Sequence, residues 1–349
     1  MKISLATYQA VSMLRGGPRT QILQSKAELQ NLGVRVSLFD AWKEFRPNDF
    51  DVVHVFGANI GTYHLARELH RVGIPMVISP IFFTRHSAEY VRRIVKAGRV
   101  LKSLSRGLWT DFGMMAEMCS WATLLAANTV DEANLFTLGM GVPEEKVRIV
   151  PNGVESRFLN AKASLFKKTY GLEKFILNVG HVGPERKNVR RLITALEEIN
   201  HPAVIIARVE NSIEGRRCIE LAKKNPRLMI LDSVAHDSDL LASAYAACDV
   251  FVLPSLFETP GIAALEAGLA GAKVVITPHG GPKEYFGELA EYVDPYSVKS
   301  IRTGIQIALI KHKDRQLRDR IRKEYLWSNT AAQLVRVYET ALSLGSVRK

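Results

Sequence analysis

The sequence predicts an α/β protein built from two doubly wound parallel-sheet domains that face a cleft. Three observations carry that expectation. The chain has 349 residues, roughly two domains at about 100–200 residues each. Short apolar runs alternate with helical patterns through both halves, the signature of parallel strands covered by helices. The alternation restarts after Pro151-Asn152-Gly153, a turn tripeptide in which Pro fixes φ and Asn-Gly tolerates positive φ.

In chain order, Ile3-Ser4-Leu5-Ala6 is the first strand and Gly16-Gly17-Pro18 lies in the loop that follows. A helical pattern from Thr20 to Asn31 closes on Gly33, a C-terminal cap. Val34 to Leu38, Val52 to Phe56, Pro75 to Ile78 and Leu124 to Ala127 are further strands. In the second half, Phe175–Val179, Ala203–Ala207, Leu228–Leu231, Val250–Leu253 and Val274–Thr277 read as five strands separated by helices. The expected domains are 1–152 and 153–327. A closing helix, 328–349, carries Leu334, Val337, Tyr338, Ala341 and Leu342 at helical spacing; the pattern allows it to pack on either domain, and joining the first is one of the two options.

Composition narrows the class. Apolar residues are 47% and charged residues 23%, as in an ordinary globular protein. No apolar run reaches the ~20 residues of a membrane span. Cys119, Cys218 and Cys248 are odd in number and far apart, so neither a disulfide framework nor a close zinc-ligand pair is expected, and the expected compartment is the cytoplasm. Lys and Arg exceed Asp and Glu by 12, with the excess in both halves and no basic tail. That sign suits phosphorylated small molecules, anionic lipid or nucleic acid. No helix–turn–helix, finger or aromatic-rich RNA signature supports nucleic acid, and the Gly-x-Gly-x-x-Gly of a dinucleotide fold is missing.

Chemistry concentrates in two strand–loop–helix stretches, where ligands of such sheets bind. In the first, a strand ends at Pro254, Glu258 follows in the loop, Thr259 and Pro260 suit a helix start, and Glu266 falls about six residues into the helix, ~9 Å along its axis. Two carboxylates at that spacing suit a polyhydroxylated ligand, and the helix N-terminus between them suits phosphate. Gly261 permits close approach to the backbone. Read structurally alone, this is a capping-turn Glu and a solvated Glu. In the second stretch, a strand ends in Gly180-His181-Val182-Gly183, followed by Arg186 and Lys187. Those cations suit a diphosphate; otherwise they are exposed residues of a turn. Gly16-Gly17 can meet phosphate through the backbone. Asp237-Ser238-Asp239 has the form of a metal-binding Asp-x-Asp but reads as a cap and first helical turn.

Together these stretches resemble the retaining glycosyltransferases of family 4, which have the GT-B fold of two Rossmann-like domains. Glu258 and Glu266 reproduce that family's Glu-x7-Glu motif. Asp249 to Ser255, Gly280 to Glu284, Val293-Asp294-Pro295, Pro151-Asn152-Gly153-Val154 and Val179-Gly180-His181 also follow its pattern. The resemblance is good over about residues 147–296. It implies that Glu266 binds ribose hydroxyls of a nucleotide sugar and Glu258 hydroxyls of the transferred sugar. Backbone N–H groups around Pro260, chiefly those of Gly261 and Ile262, would hold sugar or phosphate; Pro260 itself has none. Lys187 with Arg186 would stabilise the departing diphosphate, Gly17 would contact phosphate, Val234 and Leu240 would line the base pocket, and Arg208, just after a strand, would stack on or bond the base. The catalytic set implied is Lys187, Arg186 and Glu258. Departures from the pattern are His181 where the family has Arg, a loop to Lys187 one residue longer, and Thr259-Pro260-Gly261 in place of Gly-Phe-Gly. Arg186 is expected to take the missing Arg's role. His54, His64 and His86 are not assigned to the donor sugar.

The resemblance further implies front-face retention with no enzyme nucleophile, no cofactor and no essential metal. The expected donor is a UDP-sugar and the expected acceptor a glycan or lipid-linked glycan, in polysaccharide assembly. Between Arg85 and Leu108, seven cations face one acid, with Tyr90, Ile94, Ala97, Leu101, Leu104 and Leu108 at helical steps. This basic amphipathic helix is either a core-packed helix with a solvated face or a contact for the inner face of an anionic membrane. The alternatives to transfer are a nucleotide-sugar epimerase of the same fold and a basic nucleic-acid-binding module.

Overall fold

The computed structural model describes residues 1–13, 16–104, 109–232 and 234–346. Arg106, Leu108 and the side chain of Leu104, counted above in the basic helix, lie outside the described residues, as do positions 347–349. The chain divides into two compact units: Met1–Gly153 with Trp327–Lys349, and Val154–Leu326.

In the first unit, β1 (Lys2–Thr7), β2 (Arg35–Leu38), β3 (Val52–Phe56), β4 (Met76–Ser79), β5 (Leu124–Ala127) and β6 (Val147–Ile149) form one parallel sheet in the order β2-β1-β3-β4-β5-β6. The helices are α1 (Gly17–Asn31), α2 (Ile60–Val72), α3 (Ala88–Leu104), α4 (Asp111–Trp121) and α5 (Val130–Asn134). Local chemistry sets their ends. Asn59 and Thr62 close a capping box at the start of α2, and Gly73 ends it with φ 76°, a conformation that costs glycine little. β6 is not among the strands read from sequence. Val147 and Arg148 are half-buried and Ile149 is exposed, so this edge strand makes no apolar run.

The stripe expected on α3 is corrected by the structure. Val91 and Val95 are the buried residues packed in the core, whereas Tyr90 and Leu101 are exposed. The helix is apolar on two sides, and the side carrying Val91 and Val95, which packs against residues 135–139 and α4, is the covered one.

In the second unit, β7 (Ile176–Val182), β8 (Ala203–Val209), β9 (Leu228–Leu231), β10 (Val250–Leu253), β11 (Lys273–Ile276) and β12 (Glu291–Tyr292) form a parallel sheet in the order β12-β11-β10-β7-β8-β9. β12, two half-buried residues at an edge, was also not read from sequence. Its helices are α6 (Ser164–Tyr170), α7 (Val189–Glu197), α8 (Ile213–Lys223), α9 (Asp239–Ala247), α10 (Ile262–Leu269), α11 (Pro282–Phe286), α12 (Val298–Ile310) and α13 (Gln316–Glu324). The period-two pleat of β10 divides its side chains between both layers. Phe251 and Leu253 pack with Tyr245 and Leu265 on one face. Val250 and Val252 pack with Leu192, Leu196, Ile301 and Ile305 on the other. Burial on both faces explains why this strand reads as a continuous apolar run.

The last helix, α14 (Trp327–Ser346), belongs to the first unit. Ala331, Leu334, Val337, Tyr338 and Ala341 pack with Ile3, Val52, Val77 and Leu124 of that sheet. Its Tyr338 hydroxyl meets Nδ1 of the fully buried His54 at 2.7 Å, and Ser79 meets Nε2 at 2.9 Å. Burial holds the His54 imidazole down to about 3, so it is neutral here. At the start of α14, Gly153 is in such close contact that a Cβ would lie 2.5 Å from the Trp327 nitrogen. The three cysteines are free and buried. Among the described residues, no helix is long and apolar enough to cross a membrane.

Candidate active site

In the second unit's sheet, the chain runs outward from β7 through β8 to β9, then returns to β10 and runs outward the other way. The loops after β7 and β10 therefore diverge, and a crevice of this kind is where open α/β sheets bind ligands. β7 and β10 pair only at Ile176–Val250 and Leu177–Phe251. Beyond that, side chains join them. Asn178 Nδ2 donates to the Val252 carbonyl at 2.7 Å, and Asn188 Nδ2 to the Pro254 and Pro295 carbonyls at 2.8 and 2.6 Å.

After β7, a 3-10 turn over Glu185–Lys187 leads to Asn188, which has φ 56° and opens α7. The turn presents Arg186 and Lys187 to the loop after β10. Lys187 Nζ lies 2.6 Å from Glu258 Oε1, and Arg186 Nη1 lies 3.3 Å from the same oxygen. Arg186 also donates to the Phe257 carbonyl at 3.1 Å, while its own carbonyl accepts from Leu256 N at 2.8 Å. The Glu258 side chain is 8% exposed. Burial alone would raise its carboxyl, but Lys187 and Arg186 outweigh that and hold it below the usual carboxylate value. Glu258 is thus neither solvated nor a capping residue.

The backbone around Glu258 is pinned as well. Its N–H donates to the His279 carbonyl and its carbonyl accepts from Gly281 N, at 3.1 and 2.9 Å. Gly280, with φ 93°, sits so close that a Cβ would lie 2.1 Å from the Glu258 oxygen. This tie corrects the expected helix start. Residues 258–260 are held outside the helix, the Thr259–Pro260 peptide is cis, and α10 begins at Ile262 behind Gly261, whose φ is 91°. Thr259 does not cap it. The first-turn N–H groups of Ile262 and Ala263 precede any intrahelical acceptor.

Glu266 is therefore four residues past the start of α10, ~6 Å along the axis rather than ~9 Å. It is buried, not solvated. Its Oε2 accepts from the Tyr245 hydroxyl at 2.7 Å, and its Oε1 lies 2.7 Å from His236 Nε2. The other imidazole nitrogen, Nδ1, lies 3.7 Å from Glu155 Oε1. Glu155 in turn pairs with Arg157 at 3.2 Å.

Of the residues singled out from the sequence, Arg186, Lys187 and Glu258 converge, Pro260 and Gly261 follow in the same loop, and Ile262 opens α10. Glu266 lies further along α10 with its own partners. Val234 and Leu240 are half-buried against the same core as α10. Arg208 lies inside β8 rather than after it, exposed, and in register with His181. Burial, then the charge of Lys187, pushes the His181 imidazole down. Ser238 caps α9 by accepting from Leu241 N at 3.2 Å, with Asp239 in its first turn. Gly17 opens α1 in the first unit. Sequence reasoning missed His236, Tyr245 and Asn188. His236 and Asn188 come from loops with no spacing signal, and Tyr245 reads as a core aromatic.

Two family models divide the chain. Glycosyl transferases group 1 matches residues 162–325, and Glycosyltransferase Family 4 matches residues 11–158. An uncharacterised glycosyltransferase of Methanocaldococcus jannaschii is 27% identical over 65% of this chain and 62% of its own length, so the match spans less than two thirds of that relative. The MMP alpha-(1->4)-mannosyltransferase of Mycolicibacterium hassiacum is 26% identical over 85% of this chain and 72% of its own. The Anabaena protein Alr3699/HepE, solved with UDP and glucose, superposes with a TM-score of 0.71 at 16% identity, covering 96% of this chain and 98% of that one. Its likeness concerns the fold. With both units matched by family models and both sheets wound as such folds require, the chain belongs to the group 1 glycosyltransferases and has the GT-B fold.

Proposed function

We propose that this protein is a retaining glycosyltransferase that moves a hexose from a UDP-sugar to a glycan or lipid-linked acceptor in polysaccharide assembly. The observation that carries the reading is the convergence of Lys187 and Arg186 on Glu258 where the β7 and β10 loops part. Two cations against one carboxylate leave net positive charge, and the N-terminus of α10 adds a partial positive end. A departing diphosphate needs that environment. In this reading Lys187 and Arg186 take phosphate oxygens, the N–H groups of Gly261 and Ile262 take sugar or phosphate, and Glu258 takes sugar hydroxyls. Glu266 takes the ribose diol. Gly17 contributes a phosphate contact, and Val234, Leu240 and Arg208 the base contacts.

The bond from the anomeric carbon to the phosphate oxygen breaks and one to the acceptor oxygen forms on the same face. The departing phosphate oxygen receives the acceptor's proton, so no side-chain nucleophile and no metal is called for. Glu258 is a poor nucleophile, because both cations already engage one of its oxygens. UDP as donor nucleotide is favoured by the Anabaena neighbour's complex. Contact with an anionic membrane is favoured by α3, where Arg92, Arg93, Lys96 and Arg99 are exposed beside Tyr90, Val100 and Leu101. Such a face suits anionic lipid.

Thermal-shift screening against UDP-, GDP- and ADP-sugars tests the donor, with a UDP-sugar expected to stabilise most. NMR of the product tests the stereochemistry, with the anomeric configuration kept. Turnover is expected to survive a chelator. Inverted product, or full loss restored by metal, refutes the mechanism. Donor conversion without acceptor would instead indicate an epimerase. Stabilisation by none of the nucleotide sugars refutes the site.

A further inference from the structure

We infer that His236 is a positioning residue for Glu266, and that its protonation sets how strongly the protein discriminates a ribonucleotide from its 2′-deoxy counterpart. This deepens the proposed function, since it rests on Glu266 receiving the ribose hydroxyls.

The geometry is that of an oriented carboxylate. Tyr245 donates to one oxygen of Glu266 and His236 meets the other, each at 2.7 Å. Two partners on two oxygens fix the carboxylate plane, and each oxygen keeps a lone pair for one hydroxyl of a vicinal diol. Outer partners that fix a ligating side chain control its strength as well as its direction. The two partners differ in one respect. Tyr245 is fully buried, and burial, then the Glu266 charge, drives its phenol far above the ordinary value, so it stays neutral. His236 is 46% exposed on its side chain and exchanges protons with solvent.

The charges facing His236 come from several elements. Glu266 comes from α10, and Glu155 and Arg157 from the segment before α6. The Arg157 guanidinium donates to the His236 carbonyl, and the Phe158 ring stands edge-on at 6.3 Å. Asp237 and Asp239 follow in its own segment. The Glu266 hydrogen bond raises the imidazole, burial opposes it, and the charges of Glu266 and Glu155 add to the rise. Below that raised value the imidazolium binds both carboxylates and draws charge from Glu266, weakening it as an acceptor for hydroxyls. Above it, the neutral ring still orients Glu266 and leaves the anion its full strength. Ribose discrimination therefore grows as pH rises through the His236 transition.

The experiment measures dissociation constants by calorimetry for UDP, ADP and GDP, each beside its 2′-deoxy form, from pH 5.5 to 8.5. The ratio within each pair cancels the effect of pH on the diphosphate. For the wild type, the ratio is expected to rise about three- to tenfold across the transition, the effect of one altered hydrogen bond to a charged group. His236→Gln keeps a donor that does not titrate, so its ratio should be nearly flat with pH. His236→Ala should give a low ratio throughout. NMR of the imidazole, with no nucleotide present, should show the His236 transition above 6.5 and lowered by Glu266→Gln. A wild-type step that persists in His236→Gln, or a His236→Ala ratio equal to wild type, overturns the inference while leaving the nucleotide site standing. Absence of binding by every nucleotide at every pH overturns the proposed function itself, and the inference with it.

Discussion

Glu258 and Glu266 are buried side chains of one loop and the helix after it, yet the fold gives each a different kind of partner. Glu258 has a lysine and an arginine on a single oxygen. Glu266 has a neutral phenol on one oxygen and a titratable imidazole on the other. The first arrangement is insensitive to pH near neutrality, and its cations are the groups a diphosphate would share. The second keeps its partners spread over both oxygens, which suits a ligand with two adjacent hydroxyls. The lesson is that sequence spacing alone makes the two acids look equivalent, while their partners, drawn from distant segments, give them separate work.

The contrast can be broken most severely at Lys187. Lys187→Ala should lower turnover by more than tenfold, toward the ~100-fold cost of one lost charge-stabilising donor. It should also destabilise the fold by about 3 kcal/mol, because Glu258 would stay buried with only Arg186. Steady-state kinetics and denaturant melts measure both. Gly280→Ala comes next. Its Cβ would collide with the Glu258 backbone at a positive φ, so a loss of about 2 kcal/mol is expected in the same melts. Glu266→Ala should weaken nucleotide binding roughly tenfold, the worth of a hydrogen bond to a charged acceptor. Unchanged affinity by calorimetry would take ribose away from this residue.

The smallest effects sharpen the comparison by sign. Glu258 is held below its ordinary value. The unfolded chain therefore takes up its proton first, and the stability Glu258 contributes is complete above about pH 4.5 and lost as pH falls further. His236 is held above its ordinary value. Its contribution is complete below about pH 6.5 and lost as pH rises through the folded value. Each slope is at most about 1.4 kcal/mol per pH unit, less for the half-exposed His236. Melting temperature against pH should lose part of its acid-side slope in Glu258→Gln and part of its slope above about pH 6.5 in His236→Gln.

The legibility of these features follows from how local their causes are. Val250–Leu253 is apolar throughout because both of its faces are covered, so it is readable as a strand. Val147–Ile149 and Glu291–Tyr292 are not, because edge strands need not bury every side chain. On α3, helical periodicity alone admits two apolar stripes, and the packing of Val91 and Val95 decides between them. At the site, the Glu-x7-Glu spacing and the Arg186-Lys187 pair can be seen in the sequence. The ion pair that joins them spans 71 residues and is made by sheet topology. The capping rule placed the helix start too early, because Glu258 is tied to residues 279–281 and Gly261 takes up the turn. His236 reaches Glu266 across 30 residues, and nothing local announces it.

The return of α14 to the first sheet bears on how the protein is made. Segments Val154–Leu326 emerge from the ribosome in one uninterrupted stretch and can fold as soon as they are free. The older half must wait. Until the twenty residues of α14 have been translated, Ile3, Val52, Val77 and Leu124 lack the apolar cover that α14 supplies. Of the two units, the one whose synthesis begins first is therefore the second to be completed.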